Sequence, residues 1–122
     1  MIGGRVLDSS ALAAFAAQRS VYATALVWTA VEESIVLVLP STAVAGAWWE
    51  LDEGGRCVLE VLLRLPVAVV DPLDLDRARI VGERGGDRHA HAAVCASDRG
   101  WPLVTADAER YRGRPIDLEP LP

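Results

Sequence analysis

Three short runs of β-branched and aliphatic residues constrain the fold of this chain more than any other feature. They are "IVLVLP" at 35–40, "VAVVD" at 67–71 and "PLVTAD" at 102–107. Continuous apolar runs of this length are the mark of strands covered on both faces, as in parallel sheets flanked by helices. "RVLDSSAL" begins with a further short strand, which ends at Asp8 and leads into the helix "ALAAFAAQ" behind Ser9 or Ser10. Helical patterns fill the intervals: about Val21 to Glu33, "PSTAVAGAWWELDE", "GGRCVLEVLLRLP" stopped at Pro66, "DLDRARIVGERGG", and "DRHAHAAVCASDRG" from Asp87 to Gly100. "ERYRG" reads as a turn or short helix and "PIDLEP" as a fifth, edge strand. Alternating strands and helices predict an α/β fold: a three-layer α/β/α sandwich around a mainly parallel sheet of four to five strands. "VAVVDPL" is expected to be buried like the other strands.

At 122 residues the chain is long enough for one compact core, so a single domain over 1–122 is expected. A hydrophobic share of 52% excludes a disordered chain. The long apolar zone at 10–39 is interrupted by Gln18, Arg19, Glu32, Glu33 and Ser34, and the stretch from Val21 to Val31 falls short of the roughly 20 residues of a membrane span. The start, with Gly3, Gly4, Arg5 and Asp8, does not resemble a signal peptide. Cys57 and Cys95 lack metal-ligand spacing, which fits reduced thiols and a cytoplasmic setting. A net charge of −5 disfavours broad electrostatic binding of nucleic acid. All twelve basic residues are Arg, eight of them between Arg77 and Arg114. A GC-rich coding sequence explains that bias, although guanidinium groups also suit phosphate.

In an open parallel sheet, ligands bind beyond the carboxyl ends of the strands. The first strand delivers Asp8 there, and the fourth delivers Thr105 and Asp107. Asp87 opens a helix, where the helix dipole favours a carboxylate. Asp71 also ends a strand, but Pro72 follows it and favours a turn role. Carboxylates gathered at one edge stay ionised together around a hard cation such as Mg²⁺ or Mn²⁺. Each aspartate alone is equally explained as a helix cap or turn residue.

"VLDSSAL" followed by "GDRHAHAAVCASDRGWPLVTADAERYRG" resembles the PIN domain, in particular the VapC-like toxin ribonucleases. The matching features are the strand ending at Asp8, the D-x-H-A opening at Asp87, and Thr105-x-Asp107 with Tyr111 downstream. The resemblance implies metal-dependent hydrolysis of an RNA phosphodiester, with Asp8, Asp87 and Asp107 holding Mg²⁺ or Mn²⁺ and Thr105 orienting a carboxylate or bound water. It also implies a homodimer and an antitoxin protein as partner. Arg88, Arg110 and Arg112 lie near the site in sequence and are candidate backbone contacts.

One departure stands out. The family's further acid, a Glu on the helix after the second strand, falls at Gly46. Three accounts remain open. Glu50, one turn on, could reach back over the gap, because helical side chains lean towards the N-terminus. The site could be impaired, the fold serving a protein partner. Or the glycine could admit close approach of another group. On the same helix, Trp48 shares a stripe with Val44 and Leu51 and is expected in the core, whereas Trp49 is expected to be partly exposed. His91 shares a helical face with Asp87, but a lone His more often packs or hydrogen-bonds than ligates; His89 matches a non-ligand position of the motif. "GERGGD" follows a helix instead of a strand and so fails as a phosphate loop.

Overall fold

The computed structural model describes residues 3–122. Its strands are β1 (Gly4–Leu7), β2 (Val36–Pro40), β3 (Ala68–Asp71), β4 (Leu103–Thr105) and β5 (Leu118–Pro120). They form one sheet in the order β3-β2-β1-β4-β5, and every neighbouring pair is parallel. The helices are α1 (Ser9–Ala16), α2 (Val21–Glu33), α3 (Ser41–Glu50), α4 (Glu53–Leu63), α5 (Leu75–Glu83) and α6 (Arg88–Arg99), with a 3-10 turn at Ala108–Tyr111.

Strand residues alternate between two cores, as the two-residue period of a strand requires. Leu7, Leu37, Leu39 and Val104 face a layer built from α1 to α4. Val6, Val38 and Leu103 face the other side, where Ala92, Ala93, Cys95 and Ala96 of α6 pack with Tyr111. The expected α/β/α sandwich is therefore the fold observed. The central strand β1 is followed directly by α1, so Asp8 is held at the middle of the sheet's carboxyl edge.

Two expectations are corrected. β3 is an edge strand and not a buried one: Val69 and Val70 stay about half-exposed because no strand covers their outer side and helices cover that margin thinly. Trp48 is on the surface, 36% exposed, with the Arg56 guanidinium 5.3 Å from its ring centroid. The inward stripe of α3 is instead made of Ala43 and Ala47, whose small side chains let α1 approach closely. Trp49 is 85% exposed, beyond the partial exposure expected. No described helix is long and apolar enough to cross a membrane.

Candidate functional site

Asp8 terminates β1 and caps α1, with an extended backbone (φ −81°, ψ 179°). That geometry points its carboxylate back over the first turn, where it is 1% exposed. Oδ1 accepts from the Ala11 N–H at 2.9 Å and the Ser10 hydroxyl at 2.7 Å. Oδ2 accepts from the Thr105 hydroxyl at 2.7 Å and the Tyr111 hydroxyl at 2.7 Å. A carboxylate has about four lone-pair directions, and here four donors occupy them. Tyr111 is buried, and burial followed by the charge of Asp8 pushes its hydroxyl far above the ordinary phenol range. It stays a donor at every ordinary pH.

Thr105 ties the next aspartate in. Its hydroxyl oxygen accepts from the Asp107 N–H at 2.9 Å while donating to Asp8. The Asp107 carboxylate is part-exposed and pairs with Arg110 Nε at 3.2 Å. Asp87 caps α6 by accepting from the Ala90 N–H at 2.8 Å. That backbone hydrogen bond, outweighing partial burial and helped by His89 and Arg114, holds the Asp87 carboxyl below the usual carboxylate range. His89 joins the two ends: its Nδ1 is 3.7 Å from Asp87, and its ring meets Tyr111 edge-on at 5.6 Å. Asp8, Thr105, Asp107 and Asp87 therefore line one edge, linked through Thr105, Tyr111 and His89.

Among the described residues, the one His/Cys/Asp/Glu trio whose ligand atoms all lie within 4.8 Å of each other is Asp71, His91 and Cys95. An ion at Asp8 would have to displace one of its four donors. With these four bonds in place Asp8 has no lone pair open to an ion, whereas the Asp87 and Asp107 carboxylates remain accessible.

Glu50 does not join them. Its carboxylate faces Arg19 at 3.7 Å. Asp8 caps the start of α1 and Arg19 follows its end, so eight helical residues, about 12 Å, separate the two. At Gly46 the space is taken by neighbours. A Cβ there would sit 3.2 Å from Ser9 Cβ, 3.1 Å from Arg88 Cδ and 3.3 Å from Arg88 Nη1. Position 46 thus faces the residues that follow Asp8 and Asp87, and close approach is what its glycine permits. Arg112 pairs with Glu109 at 2.6 Å.

The second buried acid, Asp71, is a hub and not a turn residue. Its two oxygens accept from Arg77 Nε at 3.1 Å and Nη2 at 2.9 Å, from Arg99 Nη1 at 3.2 Å, and bond His91 Nε2 at 3.1 Å. Arg77 continues to Asp98, and His91 Nδ1 to Thr42 at 2.7 Å. Burial alone would raise the Asp71 carboxyl; the His91, Arg77 and Arg99 bonds more than offset this and leave it below the usual range. Cys95 moves the other way, up to about 12, by burial and the charge of Asp71. A metal-binding cysteine must be a thiolate, and two guanidinium groups already neutralise Asp71, so this trio does not fit a cation. His91 is fully buried and turned to Asp71, not Asp87.

Sequence reasoning did not find the Asp71 hub or the hydroxyls of Ser10 and Tyr111 on Asp8. The hub partners are spread from position 42 to 99 with no shared spacing. The nearness of Tyr111 to Thr105-x-Asp107 was the only available signal.

No protein-family description matches the chain, and no curated protein matches it either. Solved structures do. The chain superposes with a TM-score of 0.74 and 14% identity on a chain of VapBC2 from Rickettsia felis, crystallised bound to a DNA fragment from their promoter; the match covers 100% of both. PAE2754 from Pyrobaculum aerophilum matches with a TM-score of 0.59 and 23% identity, over 94% of this chain and 82% of that one. The PIN/VapC-like fold expected from the sequence is the fold of the chain.

Proposed function

We propose that this VapC-like fold works as a protein-binding module of the toxin–antitoxin kind, with an impaired hydrolytic site. The observation that carries this reading is the saturation of Asp8 by four donors, beside a position 46 that offers no ligand. An apolar groove between α2 and α4 supports it. Phe15, Val27, Trp28, Val31, Val61 and Leu65 line a space of ≈ 350 Å³, and Trp28 is 65% exposed there. Exposed aromatic and aliphatic side chains grouped in a groove suit an amphipathic segment of a partner. An antitoxin protein is that partner by analogy with the VapBC2 assembly. A homodimer and a cytoplasmic setting go with the same reading.

A second reading has its own support: an endoribonuclease hydrolysing RNA phosphodiester bonds with Mg²⁺ or Mn²⁺ at Asp8, Asp87 and Asp107. Asp87 is open to solvent and held ionised, and Thr105 links Asp8 to Asp107 along the ligand-binding edge of the sheet. RNA cleavage separates the two. Single-stranded RNA is incubated with the chain in Mg²⁺ and in Mn²⁺, beside the double variant Asp87→Asn, Asp107→Asn. Asp87 is exposed and Asp107 part-exposed, and an Asn at 87 still caps α6. Equal background hydrolysis by both proteins is expected. Cleavage by the natural chain that the double variant loses would establish the ribonuclease.

A further inference from the structure

We propose, resting on the groove reading above, that the partner groove continues along α4 into a second cavity, and that the segment filling both is an amphipathic helix with a basic residue about two turns from its apolar anchors. The groove and the second cavity share their walls. Phe15 of α1 borders the groove, and the next residues, Ala16 and Ala17, border the cavity. On α4 the cavity meets Gly54 and Val58, while the groove meets Val61 and, past the helix end, Leu65. Positions 54, 58 and 61 are spaced i, i+4, i+7 and so share one face of the helix. Two turns, about 10 Å, separate Gly54 from Val61 along that face.

The two ends differ in chemistry. The groove is apolar, whereas Gln18, Arg19, Glu50 and Asp52 help to wall the cavity of ≈ 480 Å³. The charge of this cavity favours a cation. α1 and α3 both end there, at Ala17 and Leu51, and neither has a basic residue in its last turn to offset the partial negative charge of its carbonyls. α4 starts there, but Asp52 already answers its positive end: Oδ1 accepts from the Gly55 N–H at 2.8 Å, and Oδ2 is open to a donor. Glu50 faces Arg19 at 3.7 Å with both side chains at least half-exposed, a weak pair that a second cation can share. Two carboxylates and two helix C-termini thus meet one guanidinium.

A lysine or arginine of the partner enters this cavity while apolar side chains fill the groove. An acidic segment would bring a like charge to Glu50 and Asp52. A helix makes both contacts from one face, because residues seven apart on it stand about 10 Å apart, the distance from Gly54 to Val61. The net charge of −5 draws a basic segment towards the chain. The cavity lies at the end of α1 remote from Asp8, which caps the start of that helix.

The test is selection of displayed random peptides of about 16 residues, four helical turns, on the natural chain, followed by calorimetry of the enriched peptides. Val61→Asp and the double variant Glu50→Gln, Asp52→Asn are the comparisons. Val61 is exposed and an Asn at 52 still caps α4, so both variants are expected to keep the natural circular dichroism spectrum. Enriched peptides are expected to carry apolar residues at helical spacing with Lys or Arg about seven positions away. They are expected to lose binding to Val61→Asp, and to bind the double variant about tenfold or more weakly, the value of one charge-assisted contact. Peptides without a basic preference, or with equal affinity for the double variant, would overturn the basic anchor and leave the groove reading standing. No enrichment, or unchanged binding to Val61→Asp, would overturn both. Self-association of the natural chain that Val61→Asp abolishes would assign the groove to a second copy and overturn the partner helix.

Discussion

Asp71→Ala is expected to destabilise the chain by about 3–5 kcal/mol, the cost of leaving buried charge without its partner. The substitution strands Arg99, two nitrogens of Arg77 and the His91 ring around an apolar methyl group. It also unties the end of β3 from α5 and α6, at a sheet edge that apolar packing covers thinly. A loss of this size is a large part of the ~5–15 kcal/mol that holds an ordinary domain together. Urea unfolding measures it, and a loss under about 1 kcal/mol would show the network to be dispensable.

The same residue sets an acid dependence. The folded-state pKa of Asp71 is lowered, so its contribution is fully present above the unfolded value of about 3.9 and is lost as pH falls through the lower folded value. Asp71→Asn should therefore unfold with a flatter dependence on pH in the acid range than the natural chain. Parallel acid slopes for the two proteins would contradict this.

Asp8→Ala is the second large effect expected, at about 3 kcal/mol or more of lost stability. It removes the shared acceptor of the Thr105 and Tyr111 hydroxyls, both buried, and the cap of α1; each buried donor left unpaired costs about 1–3 kcal/mol. An aspartate that served chiefly to hold a metal would behave oppositely. Its removal would relieve repulsion and leave the melting temperature unchanged or raised. Thermal unfolding of Asp8→Ala thus reads the role of this residue without any assay of activity.

The sheet was legible because each central strand is a continuous apolar run, and a strand buried on two faces has few other ways to be written. The helix starts were legible where Asp74 and Asp87 stand ahead of apolar periodicity, and both accept the capping bond; α1 is capped by Asp8 and not by the expected Ser9 or Ser10, which lie inside its first turn. The burial of β3 was misread because "VAVVD" carries the composition of a central strand; its place at the margin depends on strand order, which no local pattern encodes. Trp48 was misplaced because the inner face of α3 is set by Ala43 and Ala47 meeting α1, where a tryptophan has no room. The gap at Gly46 followed from the family resemblance, which places a Glu there. Arg88 as its occupant was not legible, since that contact is made by the crossing of α3 and α6. Glu50 was an open alternative, and its pairing with Arg19 follows from the end of α1 coming close to the end of α3.

The central claim is that hydrogen bonds, rather than a divalent ion, organise the carboxyl edge. Calorimetric titration of the natural chain with Mn²⁺ tests it most directly. The account predicts no saturable heat up to millimolar Mn²⁺, and the same trace for Asp87→Asn, Asp107→Asn. Saturable binding that this double variant abolishes would contradict it and restore the three aspartates as a metal centre.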